Sequence, residues 1–299
     1  MDGHLLNDDD GPDAAPARGS EGGALYVVST PIGNMGDFSF RAVEVLKAVD
    51  AVLAEDTRHT RPLLERHGIA TPLESHHEHN EAKTTPRLVE RLRAGGRLAL
   101  VSDAGTPLLS DPGARLVRAA AEAGIRIVPV PGASALLAAL VASGLSAERF
   151  TFFGFAPRKG RERREFIAEV AAARHTAVLY EAPGRTGETL ADIAAAGAGE
   201  REAVVARELT KQYEEVRRGT VSALAAYYGT TAPRGEVVIV VAGGTAPGLD
   251  EVALRAEARR LRASGARSRD IVTALVSGFG APRNLAYRLA HDGEEGEDA

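Results

Sequence analysis

One pattern narrows the fold of this chain more than any other. Short apolar runs end in loops dense in Gly, Pro, Asp, Ser and Thr, and a helical pattern separates each run from the next. The run at 25–29 leads into Thr30-Pro-Ile-Gly-Asn-Met-Gly-Asp37, and the run at 51–54 into Glu55-Asp-Thr-Arg-His-Thr60. The run at 98–101 leads into Ser102-Asp-Ala-Gly-Thr-Pro-Leu-Leu-Ser-Asp-Pro-Gly113, and the run from 125 into Pro131-Gly-Ala-Ser134. Brief apolar runs bounded by turn residues are buried strands. Helical patterns near 38–49, 62–67, 84–94, 114–123 and 135–143 alternate with them, which predicts an α/β fold built on a parallel sheet. Ligands of such sheets bind at the carboxyl ends of the strands, so the four loops are predicted to share one functional edge.

A second α/β unit follows. Strands are predicted at 150–155, 176–180, 203–207, 214–217 and 236–241, with helices at 160–173 and 186–196. The segment Ala156-Pro-Arg-Lys-Gly-Arg161 interrupts the pattern at the junction, and Gly243-Gly-Thr-Ala-Pro-Gly248 reads as a linker. Three short helical patterns at 252–263, 269–277 and 283–290 then resemble a small helix-turn-helix unit. The expected organisation is an α/β domain over 24–148, a second over 149–244, a helical unit over 250–291, and acidic tails at 1–23 and 292–299. A length of 299 residues is in keeping with two domains.

Composition removes several chemistries. The chain has no cysteine, which excludes a disulfide scaffold, a thiolate nucleophile and Cys-ligated zinc or iron–sulfur sites. It has no Trp, and aromatics are 5 %, so an aromatic platform for single-stranded nucleic acid is not expected. The net charge of −5 conceals an uneven distribution: each tail carries −5, leaving 35 basic against 30 acidic residues in the body. Eight arginines against four acids at 250–291 supply most of that excess, which tolerates a polyanionic partner. The first 23 residues, acidic and without an apolar segment, do not read as a targeting signal and are expected to be disordered. The longest near-apolar run, 133–142, is too short to span a bilayer, and a soluble, cytoplasmic protein is expected.

Familiar motifs are wanting in the loops. Gly33-x-x-Gly36 does not complete the dinucleotide fingerprint, and Pro31 stands where a glycine would. No phosphate-binding glycine loop and no nucleophile elbow occur. The run Ser75-His-His-Glu-His-Asn80 has metal-donor chemistry, but its histidines are too close in sequence to face one ion from a regular element. It is read as a polar loop, and no metal is assigned. In the second unit, Tyr180-Glu-Ala-Pro-Gly-Arg185 and Ala206-Arg-Glu-Leu-Thr-Lys211 put ionisable residues at strand ends, as ion pairs or as functional groups.

Taken together, six ordered strings resemble one family: Ser29-Thr-Pro-Ile-Gly-Asn-Met-Gly-Asp37, Ala54-Glu-Asp-Thr-Arg-His-Thr60, Leu100-Val-Ser-Asp-Ala-Gly-Thr-Pro107 with Ser110-Asp-Pro-Gly113, Val130-Pro-Gly-Ala-Ser134, and the two strings of the second unit. The chain is similar to the ribosomal RNA small subunit methyltransferase I family, within the tetrapyrrole-methylase (class III) group. The resemblance covers about 25–243, and Gly184, just before Arg185, stands where the pattern has a His. It implies two α/β domains with S-adenosyl-L-methionine in the cleft between them, and a homodimer. The implied activity is 2′-O-methylation of a cytidine ribose in small-subunit ribosomal RNA, within the ribosomal subunit. A tetrapyrrole or other small-molecule methyltransferase of the same fold is the alternative. A non-catalytic regulator with a ligand-sensing body is a reading of another class.

The resemblance also assigns residues. Pro31, Ile32, Gly33, Ser102, Asp103, Gly105, Thr106, Pro107, Gly132, Ala133, Ser134 and Tyr180 are expected to hold the cofactor. A ribose hydroxyl is a weak acid, and a base must reach it; Asp103, Glu181 and Lys211 are candidates, the lysine only with a lowered pKa. Glu55, Asp56 and Arg58 are candidates to orient the acceptor nucleotide. Arg158, Lys159, Arg161, Arg163 and Arg164 form a candidate RNA-binding patch acting through phosphates.

Overall fold

Alternate residues of a strand face opposite sides, so a strand apolar throughout needs cover on both. The computed structural model describes residues 22–244, 251–279, 281 and 283–291. In it, β1 (Ala24–Val28) lies between β4 (Arg97–Val101) and β5 (Arg126–Val130). Outside β4 come β2 (Ala51–Ala54) and a short β3 (Leu73–Ser75), giving the order β3-β2-β4-β1-β5, parallel throughout. Tyr26, Val28, Val52, Ala54, Ala99 and Val101 pack one face against α1 (Phe40–Ala48) and α2 (Thr57–Arg66). Leu25, Ala51, Leu53, Leu98 and Leu100 pack the other against α3 (Glu78–Arg93) and α4 (Ala114–Glu122).

The histidine-rich run is not a loop, as the sequence suggested. Ser75 ends β3 and Glu78 to Asn80 form the first turn of α3, because that helix start recruits polar partners. The His77 backbone N–H donates to Asn80 Oδ1 at 2.9 Å, and the buried His76 places Nδ1 3.0 Å from Thr84 Oγ1.

The second sheet has the order β6-β7-β10-β8-β9, with β6 (Phe150–Phe155), β7 (Thr176–Glu181), β8 (Glu202–Arg207), β9 (Glu215–Thr220) and β10 (Val237–Val241). Only β6 and β7 run parallel; the other pairs are antiparallel. One face is covered by α6 (Gly160–Ala172), α7 (Thr186–Ile193) and α8 (Val221–Thr230). The last of these was absent from the sequence reading and is capped by Thr220, whose hydroxyl accepts the Ala223 N–H at 3.1 Å.

The other face meets α5 (Ala135–Ser143), which follows directly on the first sheet. Leu136, Ala139 and Leu140 pack with Val178, Val204, Ala206, Val238 and Val240, and Ile32 of the first loop joins them. The two sheets are therefore bound through one apolar cluster. Helices α9 (Glu251–Ala263), α10 (Ser268–Phe279) and α11 (Arg283–His291) enclose a core of their own around Leu254, Ile271, Leu275 and Leu289. Apart from residues 22 and 23, the predicted acidic tails lie outside the described residues, as does most of the predicted linker. Among the described residues no helix is long and apolar enough to cross a membrane.

Candidate active site

Backbone bonds stitch the first and third loops together. Thr30 donates to the Gly105 carbonyl at 2.9 Å and Gly105 donates back at 3.1 Å. Thr30 Oγ1 donates to the Ser102 carbonyl at 3.1 Å, and Ser29 Oγ lies 3.1 Å from Thr106 Oγ1. Thr106 Oγ1 in turn donates to the Ala133 carbonyl at 3.2 Å, tying in the fourth loop. Lys211, from the second unit, lies across Gly33, where any Cβ would come within 2.3 Å of the lysine stem; only glycine fits. Leu108, Ser110, Glu208 and Thr210 adopt positive φ, concentrating backbone strain in two loops at this cleft.

Between the sheets these loops enclose a cavity of about 400 Å3. Its apolar walls include Ile32, Leu109, Tyr180, Val237 and Val238, with Phe155 over one side. A bulge in β6 at Gly154, whose φ is +70°, re-aims Phe155 so that its ring lies 5.2 Å from that of Tyr180. The polar walls are mostly anionic: Glu55, Asp103, Asp111, Glu181 and Glu236. Burial, reinforced by Glu55 and Asp103, pushes the Asp111 carboxyl up to about 6. Burial and the neighbouring Asp103 also raise Glu55, while burial raises the Tyr180 phenol.

Of the residues expected from sequence, Ile32, Glu55, Asp103, Gly105, Thr106, Ser134, Tyr180 and Glu181 line this cavity. Pro31, Gly33, Ser102 and Lys211 line a second one beside it, with Ile32 and Asp103 shared. Pro107, Gly132 and Ala133 line neither. Asp56 and Arg58 line neither as well: Asp56 caps α2 and holds Arg58 in an exposed ion pair at 2.7 Å, which draws its carboxyl well below the usual range.

Two of the three proposed bases are already committed. Glu181 has a fully buried side chain that accepts from Arg185 Nη2 and Thr189 Oγ1, both at 2.5 Å, and from the Ala182 N–H at 2.7 Å. Lys211 is partly desolvated, which opposes its charge, but bonds to Glu208 at 2.8 Å and Glu236 at 3.1 Å raise its pKa and keep it an ammonium. Asp103 is the exception: one oxygen accepts the Asp56 N–H at 3.2 Å. Arg163 does not belong to the basic patch, for it is 6 % exposed and donates to Asp192 at 2.7 Å. Arg158, Lys159 and Arg164 are exposed, and exposed Arg161 pairs with Glu165 at 2.6 Å.

The sequence reading missed Asp111, Phe155 and the segment Gly235 to Val238. Asp111 lay within a quoted string. The last segment carried no signal, because β10 is antiparallel and brings its amino end to the edge where β7 and β8 bring their carboxyl ends.

Two facing α/β sheets with a loop-lined cleft between them define a tetrapyrrole-methylase architecture, and the family model described as Tetrapyrrole (Corrin/Porphyrin) Methylases matches residues 24–225. Among solved structures, a diphthine synthase superposes with a TM-score of 0.58 at 18 % identity, covering 74 % of this chain and 90 % of that one. Uroporphyrin-III-C-methyltransferase from Thermus thermophilus gives 0.53 at 22 % identity, covering 73 % and 94 %. More similar in sequence are two proteins named ribosomal RNA small subunit methyltransferase I. That of Synechocystis sp. is 46 % identical over 90 % of this chain and 97 % of its own, and that of Bacillus subtilis 40 % over 91 % and 95 %. The chain belongs to the ribosomal RNA small subunit methyltransferase I family.

Proposed function

We propose that this protein is an S-adenosyl-L-methionine-dependent methyltransferase that modifies the 2′-oxygen of a cytidine in small-subunit ribosomal RNA. The names of its relatives support the reaction class. The observation that carries the reading is the donor set of the larger cavity. Its carboxylates, one of them protonated up to about pH 6, leave a surplus of negative charge that a cationic ligand relieves. Ile32, Leu109, Tyr180 and Val238 suit an adenosine ring, while Asp111 and Glu55 suit ammonium and sulfonium charges. When bound, the cofactor supplies a methyl group already activated on a positive sulfur. The protein's work is then positioning and water exclusion, which Tyr180 and Phe155 assist from the second sheet. Asp103 is assigned the proton of the acceptor hydroxyl.

Calorimetry with S-adenosylmethionine and its demethylated product tests the cavity. Small subunits and a porphyrinoid, offered separately as methyl acceptors, test the substrate. Transfer to the subunit alone is expected; transfer to the porphyrinoid alone overturns the reading. The folded-state pKa of Asp111 lies above the ordinary 3.8, so its negative charge is gained only as pH passes about 6. Affinity for the cationic donor is therefore expected to rise between about pH 5 and about pH 7, and more steeply than affinity for the product with its neutral sulfur. Asp111→Asn should flatten that difference.

RNA engagement is assigned to phosphate contacts from Arg158, Lys159 and Arg164. Replacing the three by Ala should reduce the slope of log affinity against log salt by about 2. An unchanged slope would remove the patch from the reading. Assembly as a homodimer in the cytoplasm belongs to the same proposal and rests on the resemblance.

A further inference from the structure

Two connections of the second sheet stand side by side in the wall of the larger cavity. One leaves the end of β6 and brings Phe155; the other leaves the end of β7 and brings Ala182 and Pro183. The first has little of its own to hold it. The bulge at Gly154 shifts it out of register with β7, and a bulge disrupts the ladder of hydrogen bonds around it. Phe155 is 58 % exposed, and its ring rests against Tyr180.

The two carbonyls that come next are held from behind the sheet. Side chains alternate along a strand, so Tyr180 faces the cavity while Glu181 points the other way, towards α6 and α7. There Arg185 Nη2 pairs with Glu181 and also donates to the Ala156 carbonyl at 3.0 Å. Arg163 Nη1 donates to the Pro157 carbonyl at 3.1 Å, and its Nη2 donates to Thr189 Oγ1 and Asp192. Thr189 donates to Glu181 and closes the circuit. Ala156 is 3 % exposed, and a carbonyl so placed needs a donor from the protein. Ion pairs withdrawn from water add little stability that apolar packing of the same volume would not. What a guanidinium adds is direction, because its planar fork fixes the atoms it bonds.

We propose that Arg163 and Arg185 are positioning residues: they fix the Ala156 and Pro157 carbonyls and so hold Phe155 over the larger cavity, where its ring sets the affinity for the methyl donor. The proposal rests on the methyltransferase reading above. Neither arginine lines the cavity, so an effect on the donor must pass through the segment they hold. A ring already in place does not have to be ordered by the ligand, and no binding free energy is lost to ordering it.

A double-mutant cycle on the full-length protein tests this, with calorimetry of S-adenosylmethionine as the readout. Arg185→Lys keeps a cation for Glu181 but loses the fork that also reaches Ala156. It is expected to weaken donor binding about five- to tenfold, raising KM for the donor in step while kcat on small subunits at saturating donor is kept. Phe155→Ala, at an exposed position, should weaken binding by at least as much. Added to Phe155→Ala, Arg185→Lys should change affinity by about twofold or less, since the group it positions is gone. A merely structural arginine would act by the same factor with or without the ring. Should Arg185→Lys not fold, Arg163→Lys, which keeps a cation for Asp192 and frees the Pro157 carbonyl, runs the same cycle with the same expectation. Equal factors in the two backgrounds overturn the proposal, as does unchanged affinity when Phe155 is present. Failure of the underlying reading shows differently: the unaltered protein would then take up neither S-adenosylmethionine nor its demethylated product.

Discussion

Glu181→Ala is expected to unfold at a melting temperature roughly 10 °C below the unaltered chain, a loss of about 3–5 kcal/mol. The reason is the company the carboxylate keeps. Its side chain is fully buried, and Arg185 Nη2 is its ion-pair partner at 2.5 Å. Arg163, with a side chain 8 % exposed, has Nη1 4.0 Å from the same carboxylate. Removing Glu181 leaves two guanidinium groups in the interior with part of their compensation gone, and Thr189 loses its acceptor. Burying unpaired charge is among the few routes by which one substitution costs this much. Thermal unfolding by circular dichroism measures the effect. Unchanged stability together with a collapse of kcat would instead return Glu181 to the list of bases.

Asp103→Asn should lower kcat by about 10²–10⁴ with little change in affinity for the demethylated cofactor. Asparagine retains an oxygen to accept the Asp56 N–H, so the link between the second and third loops survives. What is lost is the ability to take a proton, at the one candidate whose carboxylate is not already enclosed in ion pairs. Lys211 cannot replace it, because Glu208 and Glu236 hold its ammonium form. Single-turnover transfer to small subunits under saturating donor isolates the step. A kcat equal to that of the unaltered enzyme would show that positioning alone suffices and that no base acts here.

The first sheet was legible because its strands are parallel and its loops follow one rule. Each apolar run ends at the same edge, so reading what comes after Val28, Ala54, Val101 and Val130 found Ile32, Glu55, Asp103, Gly105, Thr106 and Ser134 in the wall of the larger cavity. That rule failed in the second sheet, where reversed strand direction put Gly235 to Val238 into the wall. It also gave no warning that Arg163, one cation in a basic string, turns inward to Asp192, while its neighbour Arg164 stays in solvent. A helix repeats every 3.6 residues, so neighbours in sequence need not share an environment.

The order of runs and loops, the absence of cysteine and the six strings are properties of the chain, and they specified the architecture and the chemical class. Which carboxylate is free and which lysine stays charged were decided only on folding. Those properties depend on the groups within a few ångströms of each side chain, and here Asp111 meets Glu55, and Lys211 meets Glu236, from distant parts of the sequence.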